Sequence, residues 1–510
     1  MYCAIKSGAI QGIDSYLISV EVDVSDGLPC MEMVGYLSSE VKEARERVRV
    51  SLKNTGWTLP PKRITVNLSP ANVRKEGSAF DLAMAIGILA SLGRISAETV
   101  EQVMLIGELG LDGQIRFVKG VLPIVMEARR QNVPICMVPA DNLQEALSVT
   151  GIKVVGVSHL SEAIDFLING REPEYEVNYA KTEQEEGAWE TDFREINGQT
   201  FARRAAEIAA AGFHNLLFLG PPGSGKTMIA KRIPGIMPPL TREESLEVSK
   251  IYSVSGMLEN SESTIKKRPF LNPHHTISAQ ALVGGGRMPR PGAVSLSHRG
   301  VLFLDELAEF KRTSLDLLRQ PLEEKKIQIA RSAGTVQYPA DFMLVAAMNP
   351  CPCGYFPDKG KCRCTEYEVR QYLNRISGPL LDRIDLVAEV PRVEFSDLAF
   401  RAGNESSSAM AGRIMEARKI QEKRYKGTGI KSNSELGIGG IDKYCSMGKR
   451  EQEMLEKIYS MEGMGARTYH KIIKVARTVA DMEGSSQIEE RHLAEAVCYR
   501  MGASKFWESR

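Results

Sequence analysis

Within residues 1–168 two stretches are strand-like, Tyr16-Leu17-Ile18-Ser19-Val20-Glu21-Val22, which alternates apolar and polar side chains from Ile18 on, and Arg63-Ile64-Thr65-Val66-Asn67-Leu68, which alternates throughout. A period of two places the apolar set on one face of a strand. Over 39–54 and 81–92 the apolar spacing lengthens to that of a helix face, and Asp81 opens the second helix as suits the positive end of a helix dipole. Strands and helices mixed in this way predict a compact α/β unit.

Beyond residue 195 the pattern changes. Ala205, Ile208, Ala209 and Phe213 mark a helix face that runs into the short apolar strand Leu216-Leu217-Phe218-Leu219. Apolar runs recur at 301–304, 342–348 and 386–390. Strands buried on both faces, as in a parallel sheet, read as such uninterrupted runs. From about residue 400 strand signals stop, and helical spacing returns in Met454, Leu455, Ile458 and Tyr459 and in Ile472, Ile473, Ala476 and Val479. The expected order is an α/β unit at 1–168, a linker at 169–195, an α/β core with a parallel sheet at 196–398 and a helical lid at 399–510.

At 510 residues the chain exceeds what one hydrophobic core serves. No apolar run approaches the roughly 20 residues that span a bilayer, so a membrane protein is not expected. The start, Met1-Tyr2-Cys3-Ala4-Ile5-Lys6, lacks the basic-then-apolar pattern of a secretory signal, and a cytoplasmic location is expected. A formal net charge of +1 says nothing of an anionic partner, but local composition does. Residues 171–195 hold nine acidic side chains against Arg171, Lys181 and Arg194, the make-up of a solvated linker.

Gly220-Pro221-Pro222-Gly223-Ser224-Gly225-Lys226-Thr227 comes directly after the 216–219 strand and precedes Met228-Ile229-Ala230-Lys231, which can open a helix. Strand, glycine-rich turn and helix in that order are what a phosphate-binding loop requires. The glycines let backbone N–H groups turn inward as an anion nest, Lys226 reaches the β- and γ-phosphates of ATP, and the Thr227 hydroxyl ligates Mg2+. Val301-Leu302-Phe303-Leu304-Asp305-Glu306 ends a buried strand in two carboxylates, Asp305 for the metal and Glu306 to orient or deprotonate water. The next run ends in Asn349, which either senses the γ-phosphate or caps the chain before Pro350. Four of nine cysteines crowd into Cys351-Pro352-Cys353 and Cys362-Arg363-Cys364. Four thiolates so close suit a tetrahedral Zn2+. The pairs lack the usual Cys-x2-Cys spacing, so free reduced cysteines and a redox role stay open.

Phosphate loop, Asp-Glu strand, strand ending in Asn, then Leu380-Leu381-Asp382-Arg383-Ile384-Asp385-Leu386 together resemble an AAA+ ATPase of the magnesium-chelatase-like branch. Within that branch Ala209-Ala210-Ala211-Gly212-Phe213-His214-Asn215, Pro273-His274-His275-Thr276-Ile277-Ser278 and Ser377-Gly378-Pro379-Leu380-Leu381-Asp382-Arg383 are similar to the ComM (YifB) family, and the likeness covers nearly the whole chain. The resemblance implies a homo-oligomeric ring, usually a hexamer, with ATP at subunit boundaries. It implies an arginine finger at Arg383, for which Arg375 competes, and a second sensor arginine at Arg467, which is otherwise a surface arginine at a helix start. It implies a motor that extends joint DNA molecules by branch migration during recombination and natural transformation. A magnesium-chelatase-type motor subunit acting with a porphyrin-handling partner, and a ring that uses nucleotide only as a switch, are the alternatives.

Lys75-Glu76-Gly77-Ser78-Ala79-Phe80-Asp81-Leu82-Ala83-Met84-Ala85 and Gly107-Glu108-Leu109-Gly110-Leu111-Asp112-Gly113 resemble the proteolytic domain of Lon, an S5 domain 2-like α/β fold. Laid on that pattern, the nucleophile position falls on Ala79 and the lysine position on Leu122. Ser78 lies one residue away, but a serine without its base is a weak nucleophile, so a Lon-like domain without peptidase activity is expected.

Residues 250–299 carry Lys250, Lys266, Lys267, Arg268, Arg287, Arg290 and Arg299 against Glu259 and Glu262. With Gly284-Gly285-Gly286-Arg287 flexible enough to approach a backbone, the segment is either a surface for sequence-independent DNA phosphate contacts or a solvated basic face. His274 and His275 either contact DNA or cap a helix.

Overall fold

The computed structural model describes residues 2–174, 191–258, 264–286, 289–331, 334–393, 404–462 and 464–507. They divide into two compact units: Met1–Gln184 with Arg242–Ile265 and Ala330–Tyr338, and Glu185–Thr241 with Lys266–Ile329 and Pro339–Arg510. No described helix is long and apolar enough to cross a membrane.

The N-terminal unit is built on a seven-stranded mixed sheet in the order Cys30–Val34, Arg63–Ser69, Asp14–Ser25, Tyr2–Gln11, Val103–Leu105, Ile135–Pro139, Lys153–Val157. The second strand is longer than its alternation alone predicts. It pairs antiparallel with Tyr2–Gln11 along the full length, from Tyr2 opposite Asp23 to Gln11 opposite Asp14, so ladder bonds extend it past the strictly alternating stretch. Ile18, Val20 and Val22 are buried on its inner face. Helix Ser39–Asn54 is capped by the Ser38 hydroxyl, which accepts from Val41 N. In helix Asp81–Ser91 every residue is buried. Asp81 does more than face a dipole: its carboxylate, almost fully buried, takes an ion pair from Arg47 Nε at 2.7 Å. Ala79 and Leu122, the two positions singled out by the resemblance to Lon, are packed in one apolar cluster. Ser78 donates its hydroxyl hydrogen bond to Glu108. Helix Arg242–Ser255, which sequence position alone attaches to the phosphate loop, packs within this unit, and Ser253 Oγ donates to Glu145 Oε2 at 2.6 Å.

The second unit holds a five-stranded parallel sheet in the order Phe270–Leu271, Val301–Leu304, Met343–Met348, Leu216–Leu219, Leu386–Glu389. Leu216–Leu219, Val301–Leu304 and Met343–Met348 are buried at every position, which is why they read as unbroken apolar runs. Helix Thr200–Gly212 packs its alanines on the sheet. The C-terminal helices Ser407–Tyr425, Ile438–Tyr444, Lys449–Glu462, Ala466–Met482 and Glu490–Trp507 share that core through Met410, Ile441, Leu455, Ala476 and Leu493 respectively. Phe193, inside the segment read as linker, is fully buried in this core, and Asp192 accepts from the Ser407 N–H at 2.8 Å. Asp385 is held by Lys471 Nζ at 3.1 Å, by His214 Nδ1 at 3.6 Å and by Asn215 N at 3.0 Å, tying the last helices to the start of the edge strand.

Candidate functional site

Three adjacent parallel strands end at one edge of the second sheet, and the residues directly after them are Gly220, Asp305 and Asn349. Ligands of open parallel sheets bind at that edge. Gly223 and Gly225 take φ values of 73° and 91°, and a Cβ at either would meet nothing within 4 Å. The loop thus encloses an open cradle lined by backbone, as an anion nest requires. Helix Lys226–Ile236 begins at Gly225 and aims its unpaired N–H groups and dipole at the same space.

Lys226 Nζ donates to Gly220 O at 2.7 Å, Pro221 O at 2.8 Å and Asn349 Oδ1 at 3.3 Å. Burial lowers its pKa to about 8, against the raising influence of Asp305 and Glu306. Thr227 Oγ1 donates to Asp305 Oδ2 at 2.7 Å. Hydroxyl and carboxylate therefore face each other, and these hard oxygen donors fit Mg2+. Asp305 Oδ1 accepts from Glu306 N at 2.9 Å. Glu306 sits in the left-handed region at φ 52°, ψ 48°, a strained backbone for a residue with a Cβ. Its Oε2 lies 3.5 Å from His275 Nδ1, and His275 stacks on His274 with ring centroids 4.1 Å apart.

His275 is the residue that sequence reasoning did not connect to the site. A signal existed: Phe270–Leu271 pairs parallel to Val301–Leu304, so the chain beyond it is carried toward the edge where Asp305 and Glu306 lie. The helix-cap alternative for the histidine pair is excluded, because Ser278 caps Ala279–Val283 by accepting from Ala281 N at 3.1 Å. His274 closes a turn by accepting from Thr276 N.

The arginines read as finger candidates and as second sensor are engaged within their own chain. Arg383 is largely buried, donates to Pro379 O and Glu323, and leaves Nε buried without a partner. Arg375 is half exposed and pairs with Glu309 at 3.0 Å. Arg467 is exposed, 3.4 Å from Asp382. The basic segment is also less free than its count suggests. Lys250 belongs to helix Arg242–Ser255 of the N-terminal unit. Arg268 donates to the carbonyls of Pro238 and Arg299, and Arg299 pairs with Asp341. Lys266, Lys267 and Arg290 are exposed, and Arg287 lies outside the described residues.

The four cysteines converge. Cys351 Sγ lies 3.4 Å from Cys353 Sγ and 3.8 Å from Cys362 Sγ, Cys353 Sγ is 3.6 Å from Cys362 Sγ, and with Cys364 all four sulfurs fall within 4.8 Å of one another. A tetrahedron of thiolates bound at about 2.3 Å has edges of about 3.8 Å, so the cluster fits one metal ion.

Models of known protein families match the chain in three places: residues 20–142 (subunit ChlI of Mg-chelatase), 192–398 (magnesium chelatase, subunit ChlI) and 404–500 (magnesium chelatase, subunit ChlI C-terminal). Competence protein ComM of Haemophilus influenzae is 42% identical over 508 residues, covering 97% of each chain. Uncharacterized protein YifB of Escherichia coli is 41% identical, covering 97% of this chain and 96% of its own. Lon protease 2 of Bacillus subtilis is 24% identical over 184 residues, 32% of this chain and 33% of its own. Matched over nearly its whole length, with a phosphate cradle and paired carboxylates at the edge of a parallel sheet, the chain belongs to the ComM (YifB) family of magnesium-chelatase-like AAA+ proteins.

Proposed function

We propose that this protein is an ATP-hydrolysing ring motor, a hexamer of identical cytoplasmic chains, that remodels branched DNA by branch migration. The observation that carries the reading is the convergence of Lys226, Thr227, Asp305, Glu306 and Asn349 in a chain so similar, end to end, to a competence protein. Residues 220–227 hold the phosphates of ATP. Lys226 exchanges its carbonyl partners for β- and γ-phosphate oxygens, and Asn349, already bonded to Lys226, orients the terminal phosphate. Thr227 and Asp305 would hold Mg2+, which when bound would supply charge neutralisation at the phosphates. Glu306 accepts the proton of the attacking water. Arg383 of a neighbouring copy is the proposed finger, which requires it to exchange Glu323 for phosphate, and Arg467 is the proposed second sensor. Zn2+ is the proposed occupant of the cysteine cluster. The N-terminal domain, read as non-peptidase, supports the ring.

Lys266, Lys267 and Arg290 are the exposed cations offered to DNA phosphates, contacts that carry no sequence information. The test is displacement of a labelled strand from a three-way junction with ATP. Wild type separates the strands and Glu306→Gln does not; failure of wild type on every junction removes the DNA reading and directs the search to a protein or porphyrin-handling partner.

A further inference from the structure

The segment from Pro350 to Thr365 contains no helix or strand, yet it lies against the phosphate loop. Two contacts join it there. Asn349, bonded to Lys226, is separated from the buried Cys351 by Pro350 alone, whose ring fixes one of the intervening torsions. Gly354 takes φ of 86°, and a Cβ added to it would lie 2.4 Å from Pro222 Cδ, so the cysteine loop's backbone rests on the phosphate loop. An open pocket of about 270 Å³ is lined jointly by the start of the phosphate loop and the cysteine loop, with Gly220, Pro221, Gly354, Phe356, Val390 and Phe506 among its walls.

The loop's own backbone bonds are local turns, among them Gly354 N to Cys351 O at 2.9 Å and Cys362 N to Asp358 O at 2.7 Å, and Phe356 N donates to Cys351 Sγ at 3.4 Å. Outward, Phe356 meets Phe506 edge-on with centroids 6.0 Å apart. The four sulfurs are its main convergence. We propose that the metal bound by Cys351, Cys353, Cys362 and Cys364 is a structural brace for ATP binding: it holds Asn349 and Pro222 in register, and its loss frees the phosphate loop from the backbone it rests on. The proposal rests on zinc as the occupant of the cluster, and the two fail separately.

The test uses the full chain, purified under reducing conditions without chelator. Zinc per chain is measured by plasma mass spectrometry, and affinity for a fluorescent ATP analogue with Mg2+ is measured by titration. Wild type carries one zinc per chain. Chelator-stripped wild type and the double variant Cys362→Ser/Cys364→Ser lose it and bind nucleotide at least about tenfold more weakly, as expected of a site whose groups shift by a fraction of an ångström. Gly354→Ala retains zinc but shows the same weakening, because its new methyl displaces Pro222. If the cysteine variant does not fold, the stripped wild type and Gly354→Ala decide. Absence of zinc from wild type overturns the zinc reading itself. Zinc present, with affinity within about twofold after stripping and in Gly354→Ala, overturns the brace.

Discussion

Lys226 gives the site a measurable pH dependence. Buried beside the phosphate loop, its amine has a pKa lowered to about 8 in the nucleotide-free protein. Phosphate oxygens bind the ammonium and not the amine, so the amine must be protonated already or take a proton from solvent as ATP binds. With a pKa of about 8, roughly nine-tenths of the sites are charged at pH 7 and about one-tenth at pH 9. Apparent nucleotide affinity therefore falls about tenfold between those values, roughly 1.4 kcal/mol, and most of the fall comes above pH 8. Terminal phosphate ionises below this window and does not mask the effect. Titration calorimetry at pH 7, 8 and 9 reads the affinity, and buffers of different ionisation enthalpy at pH 8 should reveal uptake of about half a proton per site. Lys226→Arg, always charged, should bind more weakly but with a flat profile. Affinity constant from pH 7 to 9 in wild type, or net proton release at pH 8, would refute the reasoning.

Glu306→Gln keeps its shape but cannot take a proton, so hydrolysis should fall at least about 100-fold while nucleotide affinity stays within about twofold; equal losses in both would make Glu306 a binding residue. Arg383→Ala should lower turnover by about 10³ or more in assembled rings, and if Arg375→Ala does so instead the finger is Arg375. Although burial pushes the Asp385 carboxyl up, Lys471 and His214 hold it well below the usual carboxylate range. Its stabilising effect is thus present at neutral pH and lost only in strong acid. Asp385→Ala strands Lys471 and His214 and should cost about 3–5 kcal/mol, read as a lower midpoint of the thermal transition of the second unit; an unchanged midpoint would show that the pair is not stabilising.

Much of this organisation is legible in the chain. Buried parallel strands announce themselves as Leu216-Leu217-Phe218-Leu219 and Val301-Leu302-Phe303-Leu304 because both faces are covered, and the proposed site residues directly follow them. Long-range partners are not written locally. His275 reaches Glu306 only because a two-residue strand joins the sheet edge, too short to carry a periodic signal. Helix Arg242–Ser255 joins the N-terminal unit through Ser253 and Glu145, residues 108 apart in sequence. Charge counting overstates the basic surface for a related reason: Arg268 and Arg299 look identical in sequence to solvated arginines, but internal carbonyls and Asp341 take up their donors. Arg383 likewise finds its carboxylate partner in Glu323, 60 residues away.

The most direct test of the central claim is steady-state ATP hydrolysis by the purified full chain, with and without single-stranded, duplex and forked DNA, and with Glu306→Gln as the hydrolysis-dead control. The account predicts Mg2+-dependent turnover that DNA stimulates and that Glu306→Gln abolishes. Turnover unchanged by every DNA, with no DNA bound at low salt, would contradict the motor reading, and absence of turnover in wild type would contradict the ATPase itself.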